Sequence, residues 1–233
     1  MDTLLNSYAV SAGFGSTDNP STIELDEYEK SVLLTQSQEE EVLFLYSGRN
    51  ASGESFEQTE ELRRYLAPLV KEAELPPIAT SNGNPLGMES FSKFFTLPDD
   101  LWFITYERAL AAGEACEYKA RQEVYPVRQD EYHKIRKNPF RGASDRRALR
   151  LDLSDNVVEI ISKFGVTSYY VRYLKKLKPI VLVDLTADNL AVNGVSIPTE
   201  CELHESLHPR ILERAVMLAL RSRGYTGNNN ENR

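Results

Sequence analysis

The sequence predicts an α+β fold, with an N-terminal helical region, a mostly antiparallel sheet domain and a C-terminal helix. Apolar residues recur at helical spacing up to about residue 70, and beyond residue 91 the period shortens to two. Helical spacing then returns after Pro209. Of the 233 residues, 41% are hydrophobic and 27% charged, an ordinary globular composition. A chain of this length buries enough surface to fold without a disulfide or a structural metal. The linear plan is a flexible arm at 1–20, a helical region at 21–75, a linker at 76–90, an α+β core at 91–225 and a disordered tail at 226–233.

The elements follow in order. Ser21-Thr22-Ile23-Glu24 reads as a capping box before a short helix carrying Leu25, Tyr28, Val32 and Leu33. Thr35-Gln36-Ser37-Gln38 reads as a second box, opening another helix to about Tyr46, with acids in its first turns. Gly48, Asn50 and Gly53 end it. A third helix starts at Ser55 and carries Leu62, Leu66, Leu69 and Val70, with Pro68 expected to kink or shorten it. Pro76-Pro77 and the run from Asn82 to Gly87 form the link.

Beyond the link, Trp102, Ile104 and Tyr106 alternate with Phe103, Thr105 and Glu107. A turn at Gly113 leads back through residues 116–124, which makes a hairpin. Residues 129–137 suit a short helix after Pro126. Leu149, Leu151 and Leu153 alternate with Arg150 and Asp152 as a strand. Residues 157–162 and 168–174, rich in β-branched and aromatic side chains around Gly165, are expected to pair antiparallel. Short strands follow at 180–182 and 190–192, the latter before an Asn193-Gly194 turn. The last helix runs from about Pro209 to Arg223 and buries Ile211, Leu212, Ala215, Leu218 and Ala219.

Motifs of known chemistry are few. His204-Glu205-Ser206-Leu207-His208 fits H-E-x-x-H, whose two His bind zinc only when they share one helical face. Pro209 disfavours helix at His208, so the pair is expected to mark the start of the last helix, with no metal. Gly13-Phe14-Gly15 lacks the third glycine and the flanking strand of a dinucleotide fingerprint. No phosphate-binding P-loop or nucleophile elbow occurs. Cys116 and Cys201 stand in no ligand spacing and suit a reducing compartment. Residues 1–15 lack a basic, apolar secretory leader, so the Asn50-Ala51-Ser52 triplet is read as chance. No run is long and apolar enough to span a bilayer. Neither a catalytic set, a cofactor nor a membrane partner is expected.

Charge is the louder signal. The formal net charge is −8, against a freestanding DNA-binding protein. Residues 1–100 hold 6 basic and 18 acidic side chains, whereas 101–233 hold 21 basic and 17 acidic. Within 134–150 stand Lys134, Arg136, Lys137, Arg141, Arg146, Arg147 and Arg150, against Asp145 alone. Asn138-Pro139 and Gly142 punctuate this segment, which reads as a solvated loop or arm. It is the candidate site, seated on an acidic neighbour or facing nucleic acid. Tyr169, Tyr170 and Tyr173 beside Arg172, Lys175, Lys176 and Lys178 could form a base-stacking platform. A strand with alternate rings in the core accounts for the same letters, and is the reading taken.

Four stretches carry a family resemblance: ELDEYEKSVLLTQSQEE (24–40), SFEQTEELRRYL (55–66), YYVRYLKKLKPIVLVDL (169–185) and TECELHESLHPRILERAVMLA (199–219). Together they resemble a virion structural protein of crAss-like bacteriophages, most closely the collar or ring proteins between portal and tail. Leu177 departs from the Pro common there, and His204 from a varied polar position. The resemblance implies no catalytic residues. It implies a homo-oligomer, a closed and expectedly dodecameric ring, that contacts the portal and neighbouring collar or tail proteins. Such a ring uses heterologous contacts, which the acidic first hundred residues and the basic 134–150 segment would supply. The expected place is the head–tail junction of a virion assembled in the bacterial cytoplasm, with non-specific contact to genomic DNA in the channel as an alternative use of the cations. A nucleic-acid-binding packaging or head-completion factor is the alternative function.

Overall fold

The computed structural model describes residues 25–47, 59–78, 92–112, 119–153 and 156–222. The arm at 1–20 with the Gly13 motif, the expected box at Ser21, the helix start at Ser55, the Asn50 triplet, the Gly113 turn, Cys116, most of the link and the tail lie outside these residues. The chain groups into two compact units. Segments drawn from 1–69 and 177–233 form one, and Val70–Lys176 forms the other. This grouping runs across the bounds of the linear plan.

In the first unit, Asp26 caps helix α1 (Glu27–Tyr46). Its carboxylate accepts from the Glu27 N–H at 2.7 Å, and Glu29 reaches back to the Asp26 N–H at 3.3 Å. The expected break at Thr35 does not occur, and one helix of 20 residues replaces two. Two polar residues of the supposed second box, together with Ser31, have a tertiary role. Thr35 Oγ1 accepts from the Ile180 N–H at 3.0 Å, Ser31 Oγ accepts from the Leu182 N–H at 3.1 Å, and Gln38 donates to the Lys178 carbonyl at 2.6 Å. Positions i, i+4 and i+7 thus satisfy the backbone of a strap, 178–182, that has almost no ladder of its own.

Leu34, Val42 and Leu45 complete the buried side of α1, which packs on the last helix, α4 (His208–Ser222). Helix α4 buries Ile211, Leu212, Ala215, Val216 and Ala219, with Leu218 only half-buried. A short helix α2 (Glu60–Leu66) is capped by Thr59, and Pro68 closes it in a 3-10 turn, Ala67–Leu69, as expected. The short strands expected near 181 and 191 reduce to single bridges, Val181 to Thr199 and Val192 to Val195. Asn193 and Gly194, with φ of 48° and 82°, make the tight turn inside the second.

The second unit is a seven-stranded sheet in the order β1-β7-β3-β4-β5-β6-β2. Its strands are β1 (Val70–Leu75), β2 (Lys93–Thr96), β3 (Leu101–Ala112), β4 (Lys119–Pro126), β5 (Arg147–Asp152), β6 (Val157–Ile161) and β7 (Gly165–Lys175). The expected hairpin is β3–β4. Strands β4 and β5 pair parallel, so the sheet is mixed; the other pairs run antiparallel, and the α+β class holds. Strands β6 and β7 do not pair with each other as expected: β6 lies between β5 and β2, and β7 between β1 and β3. Val70, placed on a helical stripe by its spacing, instead opens β1.

The sheet curls. Phe95 on the β2 edge stacks tilted on Tyr169 of β7, 5.4 Å between ring centres, although four strands separate β2 from β7 in the order. Their cluster, with Ala109, Val124, Ala148, Val158, Ile160, Val166, Val171 and Tyr173, fills the inside of the curl. A second cluster covers the outside of β5 and β6, where Tyr132 and Ile135 of helix α3 (Tyr132–Arg136) meet Leu149, Leu151 and Ile161. Strand β5 is therefore buried on both faces.

Candidate interaction surface

The basic segment is built, not loose. It comprises most of α3, a run of turns and the first half of β5, where a solvated loop was expected. Asn138 organises the turn. Its Oδ1 accepts from the N–H groups of Phe140 at 2.8 Å and Arg141 at 3.2 Å, and its carbonyl accepts from Gly142 at 2.8 Å. Gly142 is required by space, since a Cβ there would lie 2.9 Å from the Asn138 carbonyl oxygen. The turn thereby presents Phe140, which is 85% exposed.

Around that ring, Lys134, Arg136, Lys137, Arg141 and Arg146 are exposed, and Arg147 is half-buried. Arg147 donates to the Phe140 carbonyl and lies 4.6 Å over the Tyr125 ring, so one cation ties the turn to the sheet. Sequence reasoning missed Phe140 and Tyr125. A lone aromatic between charges carries no periodic signal, and only the turn geometry reveals its exposure.

Arg150 is not part of this surface. It is 9% exposed and lies on the inner face of β5, beside Ala148. Its Nη1 meets Glu107 at 2.5 Å and its Nε meets Asp152 at 2.8 Å, while the Tyr169 hydroxyl donates to Glu107 at 2.6 Å. The alternation Leu149-Arg150-Leu151 suggested an outward arginine, but the curl buries the face of β5 that carries Arg150 while helix α3 covers the leucines on the other. Burial raises the Glu107 carboxyl above its usual range, opposed by Arg150 and the Tyr169 bond. Burial lowers the Arg150 guanidinium, but Glu107, Tyr169 and Asp152 more than offset it, so the cation is held firmly protonated. Burial, then Glu107, raises Tyr169.

The tyrosines of β7 alternate as the core reading expects. Tyr169 and Tyr173 are buried, and Tyr170 faces out under Arg108 at 4.8 Å. Tyr173 donates to Asp100 at 2.9 Å, and burial together with that bond pushes its phenol up to about 12. The Lys71 ammonium holds Asp100 below its usual range. No flat stacking platform is left, since two of the three rings point inward. His204 stands before a 3-10 turn, Glu205–Leu207, its Nδ1 accepting from the Ser206 N–H at 3.2 Å, and His208 starts α4 with Nε2 3.2 Å from the Leu203 carbonyl. The two imidazoles thus mark the helix start, as expected, and do not share one helical face.

A sequence model of the family described as phage tail ring protein 3/4 matches residues 1–231. The chain is 47% identical over 232 residues to Ring protein 3 of Bacteroides phage crAss001, covering 98% of this chain and 95% of that protein. It is 30% identical over 204 residues to Ring protein 4/5 of the same phage, covering 84% of this chain and 82% of that protein. A match that takes in both units and every element described above means that the chain belongs to the phage tail ring protein 3/4 family.

Proposed function

We propose that this protein is a non-enzymatic structural subunit of a tail ring. In this reading, copies close into a dodecameric adaptor or collar between portal and tail, contact the proteins above and below, and surround the passage of the genome at the head–tail junction. Assembly takes place in the bacterial cytoplasm. The observation that carries the contact is the ordered basic turn around Phe140, set against a first hundred residues with 18 acids and 6 bases. A closed ring needs two unlike, complementary faces on each subunit, and charge of opposite sign fixes register and rejects wrong pairings. A turn pinned by Asn138, Gly142 and Arg147 also loses little freedom on docking.

Changing Arg141, Arg146 and Arg147 together to Ser tests this. The expected result is a soluble, folded chain by circular dichroism whose self-association, measured by light scattering and electron microscopy, weakens at least tenfold. Rings that form normally but no longer hold DNA, with the wild-type hold falling steeply with salt, would assign the cations to the lumen or to a packaging factor. An unchanged phenotype would leave the turn as plain surface.

A further inference from the structure

The sheet has a gap. The β3–β4 ladder runs from Ala112–Lys119 to Arg108–Glu123 and stops there. From Leu101 to Glu107, β3 keeps β7 on one side and has no ladder partner on the other among the described residues. Past Glu123, β4 likewise keeps β5 on one side only. Register shifts in the pairing of β3 with β7 fall between Leu101 and Phe103 and between Ile104 and Tyr106, within the stretch that β4 does not pair. Ile104, Thr105, Tyr106 and Glu107 face Glu123, Val124 and Tyr125 across the resulting groove.

Two strand edges that confront each other without partners are a seat for an extended chain, which can take hydrogen bonds from both. The banks suit a peptide. Tyr106 and Tyr125, opposite each other, are 45% and 41% exposed. Tyr106 meets Tyr170 edge-on at 6.2 Å, with Arg108 over Tyr170. Tyr125 carries Arg147, which leads to Phe140. Rigid tyrosines and arginines are the composition of binding hot spots. The lining carries the carboxylates of Glu107 and Glu123 and no cation, which disfavours a phosphate backbone or an acidic chain and suits an uncharged, partly apolar one.

We infer that this groove receives an extended stretch of residues 1–24 from a second copy of the chain. Residues 3–17 of that segment carry no charge to meet those carboxylates, and Leu4, Leu5, Tyr8 and Val10 supply apolar side chains for the tyrosine banks. Fully extended, residues 1–24 reach about 80 Å. The inference rests on the ring reading for its second copy, and it names the segment and the seat.

The test is hydrogen exchange on the assembled full chain. The amides of 104–107 and of Val124 and Tyr125 should exchange at least tenfold more slowly than in a variant lacking residues 2–24. Mixing that truncated variant with a full-length chain carrying Tyr106→Ala and Tyr125→Ala pairs an intact groove with an intact arm on different copies, and protection should return in the truncated chain's groove. Equal exchange in full and truncated chains overturns the inference. Protection that never returns in the mixture also overturns it, because the segment then docks on its own copy or not at all. Light scattering on the same samples separates the two ideas. Rings with an unprotected groove leave the ring reading standing, whereas a full chain that stays monomeric ends both.

Discussion

At the scale of the residue, the decisive side chain is Arg150. It stands last in a run of cations in the sequence, yet the structure turns it inward onto Glu107, with Tyr169 closing the set. A buried ion pair of this kind adds little net stability, but removing one member is costly because the other charge is left without compensation. Arg150→Met is therefore expected to cost about 3–5 kcal/mol, while adding Glu107→Gln should recover much of that loss. Urea denaturation of the two single variants and the double variant checks it. Additive losses would mean that the two groups do not interact. Arg141 and Arg146, nine and four residues earlier in the same run, are exposed. Sequence read the charge of the segment correctly but could not sort its members, since one residue of shift along a strand exchanges inside for outside.

At the scale of the element, helix α1 shows why periodicity can mislead. Its buried side includes Ser31, Thr35, Ser37, Gln38 and Glu41 beside its leucines, so the apolar stripe is faint. Polar letters at Thr35 and Gln38 imitate a helix start, although their partners lie about 140 residues away in the strap. Glu41 is likewise buried and held by Arg210 at 3.2 Å and Arg214 at 3.1 Å from α4. Thr35→Val keeps the shape and removes the acceptor of the Ile180 N–H. The expected cost is about 1–3 kcal/mol, with faster exchange of the Ile180 amide. An unchanged melting temperature would show that water replaces the hydroxyl. Helix α4, amphipathic in the ordinary way, was legible almost residue by residue, and the β3–β4 hairpin and helix α3 were legible as elements, although the ladder pairs 108–112 and not 102–107 with β4. Strands β1 and β2 were not, because short edge strands carry charged or few residues and their existence depends on β7 and β6.

For the whole molecule, the link at 76–90 remains a proposal drawn from its Pro, Asn and Gly content. Thermolysin is expected to cut there first, giving two bands on a denaturing gel. The pieces should nevertheless migrate as one species in native size exclusion. The N-terminal piece would keep β1, hydrogen-bonded along β7, and α1, packed on α4. Fragments that separate under native conditions, or a link that resists the protease, would each contradict this. Residues 91–225 alone would lack both partners, so that piece is expected to be far less stable than the nicked chain.

Local chemistry determined much of this protein from the sequence alone: the α+β class, the hairpin, the last helix and its start at His208, and the acidic-to-basic gradient along the chain. Wording shared with phage ring proteins also carried the family. What only the tertiary structure decided is long-range. Curling of the sheet buries Arg150 on one face of β5, and helix α3 covers the other face. The β3–β4 ladder stops at Arg108 and Glu123 and leaves the groove, and Arg147 on β5 ties the Phe140 turn to Tyr125 on the neighbouring β4. Each depends on which strand lies beside which, and a side chain's neighbours across a sheet are set by pairing and not by spacing along the chain.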